Sequence, residues 1–507
     1  MFESFVEGVG LALRVDTYLY ISVGLFLGMF VGALPGFTTL MAMAILLPVS
    51  FFLDPLLGIP FLIGVYKGGI YGGSIPAILV SMPGTGAAVA TTFDGPALTK
   101  KGKGRKALEM ALFASVSGDL TSDIITIAMI GPIAVVALMM GPPELAAVIF
   151  LALIVISATS SGVFVKGLLM LAVGLFFAMV GQDPIGALSR FSFGFTSIES
   201  GIPFLPMLIG VFALPEIFIG IERKASKIIK SADLKISGAR LTWAEFKSCG
   251  RTIARSTMIG TGIGVIPGVG QVVAAFMGYA AAKNASPHPE KFGKGELEGV
   301  AAAEAANNAV NGPTLVPLLK LGIPGDNLTV ILIGAFIAQG LRPGPLLMEE
   351  QGPLVFAILV SMVLANILFL FIGYFCIPLF ARIVTIRKSF LLPLTLVFAF
   401  AGTWVFRGQP FDLGVLVFFG AFGYIARKLH FDVTPMAMGF ILGPILEYSF
   451  GQTTVLAQGN MLHYIFVERP ITAVIVMGTP VLTYLMWQRS TRLRRELTKG
   501  LANENSS

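Results

Sequence analysis

At 507 residues, with 55% hydrophobic side chains, 12% charged ones and a mean hydropathy of +0.85, the chain is too apolar for a soluble domain, in which about a quarter of residues are charged. It reads as one integral polytopic membrane unit. The formal charge of +7 and isoelectric point near 9.3 arise from loop lysines and arginines, so they bear on orientation across a bilayer and not on nucleic acid. Cys249 and Cys376 stand far apart without metal spacing, which excludes a disulfide framework and a cysteine metal site.

The chain starts MFESFVEGVG, without a basic n-region, so no cleaved leader is expected. In chain order, apolar segments fall at about 17–34, 37–53, 60–82, 107–130, 143–160, 163–181 and 202–221. A basic stretch, 222–255, follows. Further apolar segments lie at about 256–282, 299–322, 328–341, 353–380, 389–406, 411–427, 433–451 and 466–488. Some are shorter than the ~20 residues that span a bilayer as helix, so half-helices or re-entrant hairpins are expected among them. The 59 glycines and 30 prolines suit membrane helices, which tolerate both and break at them. The tail after Trp487 is expected to be disordered.

An internal repeat is legible. Gly24, Gly28 and Gly32 precede Leu34-Pro35-Gly36, and Gly260 and Gly264 precede Ile266-Pro267-Gly268. Each copy has a second Pro-Gly downstream, Pro83-Gly84-Thr85 and Pro324-Gly325-Asp326. Small residues every fourth position are explained by close helix packing; four matched Pro-Gly breaks are not. Loop charges relate the copies. Residues 1–16 hold one Arg against three acids, whereas 222–255 hold nine Lys/Arg against three. Residues 94–106 hold five basic residues against Asp94, whereas 342–352 hold Arg342 against Glu349 and Glu350. Basic loops stay cytoplasmic, so the copies cross in opposite senses. The expected organisation is a first inverted repeat (1–221), a cytoplasmic connector (222–255), a second inverted repeat (256–488) and a cytoplasmic tail (489–507). That is an all-α polytopic fold of secondary-transporter type, with two inverted-topology repeats, Pro-Gly-broken helices and re-entrant hairpins.

Between 295 and 329 the chain reads GELEGVAAAEAANNAVNGPTLVPLLKLGIPGDNLT. Glu304, Asn307, Asn308 and Asn311 would share one helical face, and polar groups in hydrocarbon are costly unless bound. A broken helix offers unpaired N–H groups and a positive dipole end to an anion, and its freed carbonyls suit a small cation. The candidate substrate-binding residues are Pro35, Gly36, Ser74, Pro83, Gly84, Thr85, Pro267, Gly268, Asn307, Asn308, Asn311, Pro324, Gly325 and Asn327. Glu304 and Asp326 are the ion-coupling candidates, with Na+ near Asp326 as the one metal considered. The bland readings are helix glue for the asparagines, a helix bridge for Glu304 and local backbone bonding for Ser74 and Thr85. Lys67 would snorkel or pair with an acid, and Asp119 and Asp123, at i and i+4, would be structural.

The run YKGGIYGGSIPAILVSMPGTGAAVATTFDGPALTKKGKG (66–104) resembles the first signature of the large membrane subunit of tripartite tricarboxylate transporters, the TctA family. Residues 262–325, from GIGVIPGVGQ to KLGIPG, resemble the second, and DPIGALSRFSFG (183–194) and FALPEIF (212–218) fit the stretch between. The resemblance implies a substrate-translocating subunit of a bacterial inner-membrane carrier for di- and tricarboxylates. It further implies a small membrane subunit and a periplasmic solute-binding protein as partners, coupling to sodium or protons, no ATPase and no cofactor; a homodimer is left open. Lys67, Asp119, Asp123 and Asp326 depart from the family pattern by being charged.

The alternatives are an autonomous carboxylate/ion symporter working without a binding protein, a channel, or a membrane-embedded enzyme. His288, His430 and His463 all lie near loops, and no HExxH, GxSxG, DDxxD or Walker A pattern occurs, so an enzyme is not expected. The loop charges put the N-terminus in the periplasm and the C-terminus in the cytoplasm. Single cysteines at positions 3 and 500, treated with an impermeant thiol reagent on intact cells, should label at the first and be protected at the second. Equal protection of both ends would overturn the inverted orientation.

Overall fold

The computed structural model describes residues 2–160, 163–186, 188–222, 239–384 and 388–504. Of the basic connector, 223–238 lie outside the described residues, as do 505–507 of the tail. The protein is a multi-helix assembly. Among the described residues five helices are long and apolar enough to cross a membrane. They are Val15–Gly32, Gly104–Ile133, Phe204–Glu222, Gly352–Ile383 and Pro410–Lys428, and a sixth span forms if Met461–Glu468 and Pro470–Leu485, bent by 103°, act as one. Shorter apolar helices include Thr39–Ser50, Phe164–Ala178 and Asn327–Ala338. One antiparallel ribbon, Gly181–Gln182 with Ser189–Arg190, interrupts the helices.

The centre is helix Pro55–Val80, in which every residue from Leu57 to Leu79 is buried. Asp54 starts it by accepting the N–H of Leu56, with Pro55 in the first turn, where the missing proline N–H costs nothing. Lipid supplies no hydrophobic drive between helices, so they hold together through close backbone approach. At Gly28 a Cβ would stand 2.3 Å from Val65 O, and at Gly32 2.5 Å from Gly69 O. The second half repeats the arrangement: a Cβ on Gly260 would stand 2.2 Å from Ala306 O, and one on Gly264 2.8 Å from Val310 O. Helices Val15–Gly32 and Gly250–Gly264 thus lie on Pro55–Val80 and Leu297–Asn308 in matching ways.

Both glycine-bearing helices stop at a Pro-Gly and restart. Val15–Gly32 is followed by Thr39–Ser50, and Gly250–Gly264 by Gly270–Ala285. The segment expected as one stretch, 256–282, is therefore two helices, and the first begins at Gly250, within the range assigned to the connector. Leu297–Asn308 gives way to a turn at 309–314, then to Leu315–Leu321 and Asn327–Ala338. Asn311 consequently lies in the turn, not on the helix that carries Glu304, Asn307 and Asn308. Pro313 and the two hydrogen-bonded turns from Gly312 and Pro313 end the regular ladder there. Long helices Gly104–Leu138 and Gly352–Ile383 flank this group.

A second group packs around it. Phe164–Ala178 lies on Thr434–Leu456, and Phe204–Glu222 lies on Pro410–Lys428. Phe204–Glu222 and Lys388–Arg407 also contact Thr39–Ser50. The final helix, Pro470–Glu504, runs through the tail expected to be disordered. RSTRLRRELTK is made of strong helix formers with no breaker before Gly500, so the helix simply continues. The loop entering Leu297–Asn308 is fastened by Asp94, whose Oδ1 accepts the N–H groups of Gly293, Gly295 and Glu296 while Oδ2 accepts Tyr279 OH.

The close crossing at Gly260 is testable beside a built-in control. Gly260→Leu drives a side chain into the Ala306 carbonyl and should cost about 1–3 kcal/mol, visible as a lower Tm in detergent. Gly262→Leu, two residues away with nothing within 4 Å, should leave the Tm unchanged. Equal Tm values for both variants would contradict this packing.

Candidate functional site

The two Pro-Gly breaks of the second half are joined directly, and the downstream break of the first half is seated on neighbouring glycines. In the second half, Gly268 N donates to Gly325 O at 2.8 Å, joining breaks that are far apart in sequence. In the first, Gly84 N donates to Gly73 O at 3.0 Å, and a Cβ on Gly84 would meet Gly32 O at 2.6 Å. Gly84 sits on Gly73 as Gly325 sits on Thr314, whose Oγ1 lies 2.0 Å from where a Gly325 Cβ would be. Two amides expected to face a substrate, those of Gly84 and Gly268, therefore donate within the protein. Pairs also meet across the halves: Thr39–Ser50 packs on Asn327–Ala338, and the short 3-10 helix Ala87–Phe93 packs on Gly270–Ala285.

Accessibility divides the candidates. Gly36, Pro83 and Asn327 are exposed, and Thr85, Pro267 and Gly268 are half-buried. Pro35, Gly84, Pro324 and Gly325 are buried behind them. Ser74, Glu304, Asn307, Asn308 and Asn311 are wholly buried. The tips are thus reachable from outside, whereas the polar face is sealed in the helix packing.

Within that face Glu304 is the hub. Its Oε1 accepts Ser74 Oγ–H at 2.6 Å and the hydroxyl of Thr91, and its Oε2 accepts Ser115 Oγ–H at 3.2 Å. Asn308 Nδ2 donates to Ser115 Oγ at 2.9 Å and to Asn307 Oδ1 at 2.5 Å. Asn307 Nδ2, Asn308 Oδ1 and Asn311 Nδ2 have no partner. Thr85 Oγ1 accepts the N–H of Ala88, a local bond.

Asp326 caps helix Asn327–Ala338. Its Oδ1 accepts the N–H groups of Leu328 and Thr329, and Thr329 Oγ1 bonds back to the Asp326 backbone. The other oxygen, Oδ2, accepts Tyr66 OH at 2.7 Å and Gln271 Nε2 at 2.6 Å. Gln271 also reaches Asn311 Oδ1 at 3.5 Å. Lys67 neither snorkels nor stands alone: its Nζ is 2.8 Å from Asp119 Oδ2 and 2.5 Å from Asp123 Oδ2, with all three groups buried. Asn366 Nδ2 donates to Asp123 Oδ2 at 2.7 Å. Sequence reasoning missed Tyr66, Thr91, Gln271 and Asn366. Gln271 and Asn366 are isolated polar residues in apolar helices, whereas Tyr66 stands beside Lys67 and Thr91 beside Thr92, which was the one local signal available.

The model of the tripartite tricarboxylate transporter TctA family matches residues 18–438. The chain belongs to that family. Two Agrobacterium vitis proteins are similar to it. An uncharacterized 52.8 kDa protein in the TAR-I ttuC' 3' region is 35% identical over 466 residues, 92% of each chain. An uncharacterized protein in the TAR-II ttuC' 3' region is 35% identical over 237 residues, 47% of this chain and 97% of its own length. No solved structure matches. Membership makes this a multi-pass membrane protein of a transporter family, not of an enzyme family. In TctA terms, the two signature runs supply the two sides of the buried network: Tyr66, Ser74 and Thr91 from the first, Gln271, Glu304 and Asn308 from the second.

The hub predicts an asymmetry between two substitutions. Glu304→Ala strands the hydroxyls of Ser74, Thr91 and Ser115, each at a cost of about 1–3 kcal/mol. Glu304→Gln keeps a carbonyl acceptor at the same place. Thermal unfolding of the purified variants should place Glu304→Ala well below Glu304→Gln, and equal midpoints would remove Glu304 from the centre of the packing.

Proposed function

We propose that this chain is the large, substrate-translocating membrane subunit of a tripartite, ion-gradient-driven secondary transporter. It imports di- or tricarboxylates delivered by a periplasmic binding protein, together with a small membrane subunit, across the bacterial inner membrane. Family membership supports the class. The observation that carries the mechanism is the joining of Pro-Gly tips, Gly268 N to Gly325 O, beside exposed Asn327. Two helix starts meet there; the N–H groups of Leu328 and Thr329 already serve Asp326 and that of Gly268 serves Gly325 O, so an anion would take the donors that remain at the tips together with the positive dipole ends.

The matched contacts of the two halves support an inverted repeat: Gly28 on Val65 and Gly260 on Ala306, Gly84 on Gly73 and Gly325 on Thr314. So does the crosswise pairing of Phe164–Ala178 with Thr434–Leu456 and of Phe204–Glu222 with Pro410–Lys428. In this reading the tip-bearing group moves against the peripheral helices and exposes the tips to each side in turn. Thr85, Asn327 and the tip backbone around Gly36 and Gly325 contact the carboxylates. Asn307, Asn308 and Asn311 hold the tips from behind, and Glu304 and Asp326 stand as the coupling candidates. An autonomous symporter, without the binding protein, is the alternative within the same class.

The decisive experiment is reconstitution in vesicles with the small subunit, with and without the cognate binding protein, following labelled di- and tricarboxylates. Uptake should require the binding protein and an ion gradient; uptake without the binding protein favours the autonomous carrier. Asn308→Ala should abolish transport while the protein stays folded. Asp326→Asn should lose gradient-driven uptake but keep substrate exchange, which need not release the ion. Wild-type uphill uptake by Asp326→Asn would remove Asp326 from coupling.

A further inference from the structure

The most unusual feature of the interior is the cluster of Lys67, Asp119 and Asp123. All three are fully buried, on helices Pro55–Val80 and Gly104–Leu138, with Asn366 of Gly352–Ile383 closing the third side. With every group ionised it carries one positive and two negative charges. One lysine offsets one carboxylate; the second leaves an uncompensated charge in a medium that solvates charge poorly. The hydrogen-bond count is unbalanced in the same sense. Lys67 takes Oδ2 of each aspartate, while Asp119 Oδ1, Asp123 Oδ1 and Asn366 Oδ1 are acceptors without a donor. Asn311 is the polar neighbour of Asp119 across the turn, but its Nδ2 and Asp119 Oδ1 do not reach hydrogen-bond geometry.

Charge and hydrogen bonding therefore ask for the same thing, one added positive charge that is also a donor. A proton on a carboxyl oxygen supplies both. A metal cation does not: the ammonium already occupies the space between the two carboxylates where it would sit. Among the described residues no group of three or more His, Cys, Asp or Glu could hold a metal ion. The orphan oxygen of Asp123 has a cradle. A Cβ on Gly312 would stand 2.5 Å from Asp123 Oδ1 and 3.0 Å from Thr126 Oγ1, so only glycine leaves both oxygens their room.

We propose that the Lys67–Asp119–Asp123 cluster is a proton-binding site of this carrier, additional to the coupling candidates Glu304 and Asp326, loaded with one proton on an aspartate Oδ1 and emptied once per transport cycle. The step is a proton transfer alone: Oδ1 takes the proton from water on one side of the membrane and returns it to water on the other. No bond to substrate forms and nothing is oxidised. The link to the tips is short. Tyr66, the residue before Lys67, donates to Asp326 Oδ2, and Asn311 accepts from Gln271, which also bonds Asp326. The other titratable groups on the surrounding elements are Tyr66 and Tyr71 on the lysine's own helix, Arg105, Lys106 and Glu109 at the start of Gly104–Leu138, Tyr374, Cys376 and Arg382 on Gly352–Ile383, Glu298 and Glu304 on Leu297–Asn308, Lys320 on Leu315–Leu321, and Asp326. The inference rests on the transporter reading for its role in coupling, but not for the existence of the site.

Two measurements separate these. The first needs no substrate. Infrared spectra of the purified protein in lipid, titrated with pH, should contain a carboxylic-acid carbonyl band that is lost in Asp119→Asn or Asp123→Asn. A Lys67→Gln/Asp119→Asn/Asp123→Asn variant, neutral throughout, should remain folded and also lack the band. Spectra of these variants identical to wild type overturn the site, whatever the protein transports. The second uses vesicles with both partner subunits and labelled citrate as probe. A pH gradient of one unit should give wild type about tenfold accumulation per proton carried, without sodium, and acidify the lumen. The Asp123→Asn and the neutral triple variant should exchange citrate but accumulate none. Proton-driven accumulation that survives in the triple variant overturns the proposal. Absence of movement in wild type of citrate and of every other labelled di- and tricarboxylate tried, with the band intact, refutes the transporter reading and the coupling role while the proton site stands.

Discussion

A carboxylate taken out of water must find donors before a helix bundle can close around it, and Glu304 finds them on three separate elements. Ser74 comes from the central helix, Thr91 from the short 3-10 turn after the Pro83-Gly84 tip, and Ser115 from the long helix behind. None of these bonds is local; each ties the second half of the chain to the first. The apolar packing gives the bundle its bulk, but a lipid-bathed helix gains little from burying apolar surface against its neighbour. Directional bonds to a charged acceptor are what select one arrangement among many of similar contact area.

The second constraint is distance. Carbonyl oxygens of Val65 and Ala306 lie where a β-carbon on Gly28 and Gly260 would be. Helices this close place polar side chains of opposite faces within direct reach, so the network around Glu304 and the one around Asp326 depend on the glycine crossings. Asp94 works in the same direction at the rim, gathering three backbone N–H groups of the loop that leads into Leu297–Asn308. Four donors to one buried carboxylate hold that entry without any regular secondary structure.

Composition, the Pro-Gly pairs and the polar run at 304–311 were legible because each breaks a local rule of apolar helices. Membrane class and the positions of the breaks followed from that, as did the burial of a polar face around Glu304. What could not be read was pairing in space. Asp326 looked like a free charge beside a tip and is a helix cap bonded by four donors, since a cap and a ligand-binding carboxylate have the same sequence signature. Asp119 and Asp123 stood out as an i, i+4 pair and Lys67 stood out alone, more than fifty residues before them; their meeting depends on how two long helices cross, which no spacing encodes. Asn311 was placed on a helical face because periodicity continues through it, and the turn at 309–314 is set by Pro313 and its surroundings. The tail differs for a simpler reason: a chain end was taken for disorder, although most of its residues up to Lys499 are good helix formers.

The bond from Gly268 N to Gly325 O has a consequence for how such a protein can change. It is made entirely of main-chain atoms, at positions where the side chain is a single hydrogen. Substituting the residues around it, Asn327 or Thr85 or Val269, alters what the tips present without touching what joins them. The fastening and the chemistry are thus written in different parts of the polypeptide, one in the backbone and one in the side chains. On the proposed reading, in which the tips meet the substrate, a lineage built on this plan would vary its cargo by point substitution while the main-chain fastening is inherited intact.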